Sequence, residues 1–312
     1  MKTNLLVTIL IFTFFYSNAN AQDFKLGKVT LAELEEKFHP IDSTASAAIL
    51  FNNAKTYFKY DTKFGFSIVT ENSFRIKIYK KDGLKWANYQ LPFRIGYDKY
   101  NNDLAEFTDC VTYNIENGKV AKTKLNSEGI FKKSVSKYWK ELAITMPNVK
   151  VGSVIEFKYI LKSENIVEFP IFNFQQDIPV NNSEYVTEIP GFFVYKAVAK
   201  GPSEIISESK ITTGSFVLAS KIYALQSGSI NFEQLTSKYS THNLPALKEE
   251  PYVDNIENYR ISVQHELEKT QFYEEPVKDY ATTWEGVAKT IFLDDDFGKE
   301  LKERDYITQD LA

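Results

Sequence analysis

Cysteine is almost missing from this sequence: Cys110 is the single one in 312 residues. An intramolecular disulfide is therefore excluded, and so is a cysteine-built zinc site, which needs further thiolates. Histidine is nearly as scarce. His39, His242 and His265 lie far apart and show no H-E-x-x-H spacing. Glycine numbers 13, and no Walker loop or G-x-G-x-x-G occurs, so no phosphate cradle is expected. Arginine is confined to Arg75, Arg94, Arg260 and Arg304, and the net charge is -4. Such a chain lacks both the positive field and the guanidinium forks that nucleic acid requires. Nucleic-acid binding is excluded on that ground.

What is present is a globular composition, 43% apolar and 25% charged, with 24 Phe and 19 Tyr. Aromatic enrichment favours strands over helices. The N-terminus carries Lys2, an apolar run from Leu5 to Tyr16, and Ala19-Asn20-Ala21 as a small-x-small site before Gln22. A helix over that run would reach about 18 Å, short of a ~30 Å hydrocarbon core. Residues 1–21 thus read as a cleaved signal peptide, and the residue after the cut is not the Cys a lipid anchor needs. The expectation is an exported protein, periplasmic or extracellular, without a membrane anchor after cleavage.

Residues 22–44 read as a helical lead-in. Thr30 and Glu33 form a T-x-x-E capping box, with Leu31, Leu34 and Phe38 facing the core and Pro40 closing the segment. Strand signals follow. Phe64, Phe66 and Ile68 alternate, as do Phe74, Ile76 and Ile78, with Arg75, Lys77 and Tyr79 pointing away, the pattern of half-buried strands. Asp82-Gly83 predicts a tight positive-φ turn, and Pro92 the end of a strand from Trp86 to Leu91. Asn117-Gly118 between alternating runs predicts a hairpin. Pro147–Gly152 turns the chain into a dense strand from Ser153 to Leu161, with later strands at 171–176, 184–189, 192–199, 214–224 and 259–265. At least ten strands with turns about every ten residues read as an all-β, antiparallel sandwich over 45–268. From Thr283 the signals become helical. Trp284, Val287, Ala288 and Ile291 form one stripe, and Asp294-Asp295-Asp296 caps a second helix running to Arg304.

Four runs in order carry a family likeness. They are Thr112–Val120, Pro147–Glu156, Phe174–Val180 with Ser183-Glu184-Tyr185, and Asn243–Ala246 with Glu249-Glu250-Pro251-Tyr252. Together they resemble a domain of unknown function that precedes transglutaminase-like domains in secreted proteins of Gram-negative bacteria. The resemblance implies an immunoglobulin-like β domain followed by a papain-like core carrying Cys, His and Asp. On it, residues 269–312 are a linker and the first helices of a truncated core, whose catalytic Cys lies beyond this chain.

No catalytic, cofactor-binding or metal-binding residue is assigned on this reading. Cys110 alternates with Thr108 and Thr112, opposite Phe107, Val111 and Tyr113, and reads as an inert, partly buried thiol. His242 and His265 could pair, and Glu249-Glu250 could act only opposite another carboxylate. Trp86, Trp139 and Tyr97/Tyr100 could stack a sugar, and Asn181-Asn182-Ser183 reads as a turn. Two function classes stay open. One is a non-catalytic exported module that positions a protein or peptide substrate for a transglutaminase-like cysteine-type enzyme. The other is an autonomous secreted protein- or glycan-binding module. Neither calls for a cofactor.

Overall fold

The computed structural model describes residues 24–61, 63–96, 102–218, 228–272, 276–280, 283–293 and 298. The signal segment 1–21, Tyr97, Tyr100 and the acidic triplet with its helix to Arg304 lie outside the described residues. The chain opens with a short helix, α1 (Leu31–Glu35), in which both halves of the Thr30/Glu33 capping box form. Leu34 alone of the expected stripe is buried, while Leu31 and Phe38 are exposed, because the helix stops at Glu35 before the stripe completes a second turn.

Two long strands then form the heart of the molecule, β1 (Ala47–Asp61) and β2 (Gly65–Ile78), paired antiparallel. After them come β3 (Asn88–Arg94), β4 (Leu104–Glu116), β5 (Lys119–Lys124), β6 (Ile130–Ser134), β7 (Trp139–Thr145) and β8 (Val154–Ser163). The second half supplies β9 (Phe172–Asn173), β10 (Val180–Pro190), β11 (Phe193–Lys200) and β12 (Ile206–Leu218). It closes with β13 (Gly228–Leu244), β14 (Ser262–Thr270), β15 (Lys278–Asp279) and α2 (Trp284–Leu293).

The fold is mostly β and sandwich-like, built from three sheets. One is eight strands wide in the order β12-β13-β10-β1-β2-β8-β4-β5, and its β1/β10 pair is parallel, which corrects the expectation of a wholly antiparallel sandwich. A second sheet runs β11-β14-β15 with β9 also on β14, and a third runs β3-β7-β6. Both small sheets pack on one face of the large one. Tyr89 of β3 meets Phe157 of β8 at 4.8 Å between ring centroids, and Phe58 of β1 stacks on Phe193 of β11 at 4.6 Å. Offset and edge-on ring pairs of this kind add to what burial alone contributes.

The other face of the large sheet is also covered, which corrects the half-buried reading of β2. Arg75, Lys77 and Tyr79 do point away from Phe74, Ile76 and Ile78, yet all six are buried. Their cover is the lead-in from Phe24 to His39. It is held by polar side chains, which is why a hydrophobic alternation in β2 cannot reveal it.

Other local expectations need correction. Gly83 sits in a 3-10 turn over Lys81–Ala87 rather than a tight positive-φ turn. Its glycine is required instead because a Cβ would overlap the Ser46 carbonyl oxygen. Pro92 lies within β3, paired with Glu141, where an edge position tolerates the missing N–H. Asn181-Asn182-Ser183 is part of β10, and its side chains bridge strands and lead-in: Asn181 to His39, Asn182 to Leu50, Ser183 to Asn52. The Asn117-Gly118 hairpin forms as expected between β4 and β5, both residues at positive φ.

Candidate functional site

The parallel pairing of β1 with β10 ends at Tyr57 and Glu188, and β10 parts from β13 at Pro190 and Gln234. At that point the chain leaves the large sheet. The Gly191 N–H is spent on the Glu233 carbonyl at 2.8 Å, and β11 begins in the second sheet two residues later. The β1–β2 and β12–β13 hairpins continue past this exit, with no strand between them among the described residues.

Aromatic rings bridge the gap. Tyr60 of β1 approaches Phe216 of β12 at 4.9 Å, and Phe66 of β2 meets the same ring edge-on at 5.6 Å. Phe192 lies beneath, 5.4 Å from Phe232. Gly214 pairs with Phe232 across β12 and β13, and any Cβ on it would strike that ring. The result is an open groove of about 1000 Å³, walled largely by phenylalanine. Its one charged lining residue is Glu164, in the turn after β8, with Asn231 and the Tyr60 hydroxyl the uncharged polar groups. Among the described residues Glu164 makes no hydrogen bond or ion pair. Tyrosine and phenylalanine faces beside one carboxylate can take an apolar ligand carrying few polar groups.

The buried polar network on the opposite face is closed by comparison. Glu156 accepts from Arg75 Nε at 2.7 Å, from the Tyr113 hydroxyl at 2.8 Å and from the Gly27 N–H at 2.7 Å. Arg75 also donates to Glu33 at 2.8 Å and to the Lys25 carbonyl at 2.9 Å. Lys77 Nζ donates to the carbonyls of Leu34 and Gly152, and burial lowers its pKa to about 8. The Tyr79 hydroxyl donates to Glu36, and burial first, then that bond, hold the phenol well above its ordinary value. Arg75, Lys77, Tyr79, Tyr113 and Glu156 each have a partner within the chain, so the arrangement clamps the lead-in onto the sheet.

The residues singled out in the sequence do not assemble. Asp109 takes a positive φ of 54°, and the resulting bulge in β4 brings Phe107 and Cys110 to the same inner core. Tyr113 faces the other side, contrary to the simple alternation. Burial, then the Asp109 charge, push the Cys110 thiol up to about 12, so it carries almost no thiolate at neutral pH. His265 is buried on β14, its pKa lowered by burial to about 4. His242 bonds instead to Asn182 at 2.9 Å, so the two histidines do not pair. Glu249 and Glu250 are exposed. Trp86 packs against the core while Trp139 is exposed on β7, so they form no common platform. Among the described residues no group of three or more His, Cys, Asp and Glu could hold a metal ion, and no helix is long and apolar enough to cross a membrane.

Sequence reasoning missed the groove because its walls come from six separated stretches, around residues 60–66, 164–166, 192, 216, 230–232 and 272. The Phe192-Phe193 pair was visible, but only the exit of β10 from the sheet sends one ring to the groove and the other to the core.

A family described as a Domain of Unknown Function with solved structure (DUF3857) matches residues 66–215. That span begins at Phe66, just inside β2, and stops at Ser215 in β12. No curated protein matches. A crystal structure from Parabacteroides distasonis, described as a "putative protease", is similar with a TM-score of 0.51 at 11% identity. The likeness covers 72% of this chain and 41% of that one, so this chain spans less than half of that protein's length. It shows the fold alone. Yeast LTA4 hydrolase in complex with bestatin aligns over 68% of this chain and 32% of its own at 9% identity. Its TM-score of 0.25 carries no argument.

Proposed function

We propose that this chain is a non-catalytic, exported β module that grips an extended polypeptide in the aromatic groove and positions it for a transglutaminase-like cysteine-type enzyme. The observation that carries the reading is the groove itself: a solvent-open, phenylalanine-walled cleft of about 1000 Å³ at the end of the large sheet. Apolar patches of this size on a protein surface mark sites of interaction. The non-catalytic part is supported by the chemistry of Cys110, buried in the core and raised to about 12. Export is supported by the signal-like segment, and the enzymatic context by the family likeness of the four sequence runs. The finer immunoglobulin-like assignment of residues 45–268 belongs to the same proposal and is supported by layers facing one another across an aromatic core, antiparallel except for the β1/β10 pair. The alternative, an autonomous glycan-binding module, draws on the same ring faces, since sugars stack on them.

The test is an array of overlapping twelve-residue peptides and an array of oligosaccharides, probed with the full chain and with Phe232→Asp. Peptides bearing large apolar side chains should bind, and the substitution should weaken them at least tenfold with the melting temperature unchanged. Binding of sugars alone, lost in the same variant, would replace the polypeptide reading by the glycan one. Peptide binding indifferent to Phe232→Asp would refute the groove as the site.

A further inference from the structure

We infer that the groove selects a lysine side chain of a polypeptide that adds as a strand to the free edge of β12. The inference rests on the groove reading above and names what enters it. Glu164 is the only charge on the lining, and among the described residues it has no hydrogen-bonding or ionic partner. Glu164 lines the same cleft as the aromatic rings, and a carboxylate beside apolar walls attracts a cation more strongly than it would in bulk solvent. The ring faces act in the same direction, because the quadrupole of Tyr and Phe presents negative charge to a cation above the ring. One such contact exists at the rim, where Lys63 Nζ lies 4.6 Å from the centroid of Phe64. A lysine matches both parts of the cleft. Its four-carbon stem covers phenylalanine while its ammonium reaches the carboxylate.

The edge of β12 decides the source of that lysine. β12 is the terminal strand of the large sheet and pairs on one side only, with β13, over Ile206–Leu218. Its other backbone edge is therefore a template for an incoming strand among the described residues. Phe216 sits on this strand opposite Ile230, and both line the groove. A residue added across the free edge from Phe216 would place its Cβ about 5 Å from that of the phenylalanine, on the groove side. A free amine could use the rings and Glu164, but not the edge.

The experiment is calorimetric titration of the full chain with acetyl-Thr-Val-Lys-Val-Thr-amide, with its norleucine and glutamate counterparts, and with n-butylammonium. The lysine peptide should bind about tenfold more tightly than the norleucine one, the scale of a partly desolvated cation on rings and a carboxylate. The glutamate peptide and butylammonium should bind far more weakly. Glu164→Gln should erase the preference for lysine and leave the norleucine affinity and the melting temperature unaltered. If norleucine binds as well as lysine, or the preference survives in Glu164→Gln, cation selection is wrong while the apolar groove stands. If butylammonium equals the peptide, the strand-addition source is wrong. If no peptide binds, the groove reading fails first and this inference with it.

Discussion

Substituting Glu156 by Gln tests whether polar groups, rather than apolar packing, hold the lead-in on the outer face of the large sheet. The change is nearly isosteric, so its cost is almost wholly electrostatic. Arg75 and Glu156 are 2% and 1% exposed, and their shortest contact is 2.6 Å. Removing one partner of a buried pair leaves the other charge uncompensated, at a cost of about 3–5 kcal/mol. Here Glu33, 2.8 Å from Arg75, remains as a second carboxylate, and the expected cost sits at the lower end, about 3 kcal/mol. The Gln amide would also turn a donor towards Arg75, Tyr113 or the Gly27 N–H, each of which is itself a donor. In a domain of this size each kcal/mol moves the melting temperature by roughly 2–4 °C, so a fall of roughly 6–12 °C is expected.

Circular dichroism melting and amide exchange together are the assay. Exchange at Gly27, whose N–H donates to Glu156, should quicken even under conditions where the core stays protected. Arg75→Met added to Glu156→Gln should cost less than Arg75→Met alone, because no buried charge is then left unpaired. A melting shift below about 2 °C, or additive losses in the double variant, would show that the ion pair contributes little and that the lead-in is held by other contacts.

Burial holds the His265 pKa near 4 against an ordinary 6.5, so between these values the unfolded chain takes up a proton that the folded one refuses. Stability should therefore fall as pH drops from about 6.5 to about 4, by up to roughly 3 kcal/mol from this residue, and His265→Phe should flatten the curve in urea titrations across that window. Cys110, raised to about 12, should alkylate with iodoacetamide in the native state about a thousandfold more slowly than a free thiol; labelling at the free rate would contradict its burial. Gly83→Ala should destabilise by about 1–3 kcal/mol, since the methyl group meets the Ser46 carbonyl; an unchanged melting temperature would mean that the Lys81–Ala87 turn shifts freely. Gly214→Ala should instead spare stability more than binding, because what it displaces is the Phe232 ring at the groove; the peptide titrations above report it.

The strands marked by a local turn were legible in the sequence. β4 and β5 flank Asn117-Gly118 and β8 follows Pro147–Gly152, and all three form where those turns put them. β1 was not legible, although it is central. Its sequence mixes Asn52, Asn53, Thr56 and Lys55 among apolar residues, and a bulge after Ile49 reverses which residues face the core. The buried Thr56 is tolerated because neighbouring strands supply hydrogen bonds, from the Thr70 hydroxyl at 2.9 Å and the Tyr185 hydroxyl at 3.0 Å. The bulge at Asp109 hid the inward turn of Cys110 in the same way, since one extra residue inverts every side chain beyond it. The groove was illegible for a different reason. Tyr60, Glu164, Phe192 and Phe216 meet through pairings of high sequence separation, and nothing local to any of them marks the meeting.

The two faces of the large sheet divide the work, and the division begins with which strand ends where. On the outer face the strand residues Arg75, Lys77, Tyr113 and Glu156 demand polar partners; Glu156 pairs with Arg75 and Tyr113, and the lead-in completes the set with the Glu33 carboxylate, the Lys25 and Leu34 carbonyls and the Gly27 N–H. That face is closed because an unpaired charge there would be costly. On the inner face the demand is for apolar area, and two small sheets supply most of it. Their cover runs out where β10 stops at Pro190, a residue that has no N–H to continue a ladder, and where Gly191 turns the chain into β11. The flanking hairpins are longer than the strand between them, so their rings project beyond the last residue able to cover them. An uncovered aromatic wall is therefore a consequence of strand lengths, and Glu164, which has no hydrogen-bonding or ionic partner among the described residues, stands on that wall.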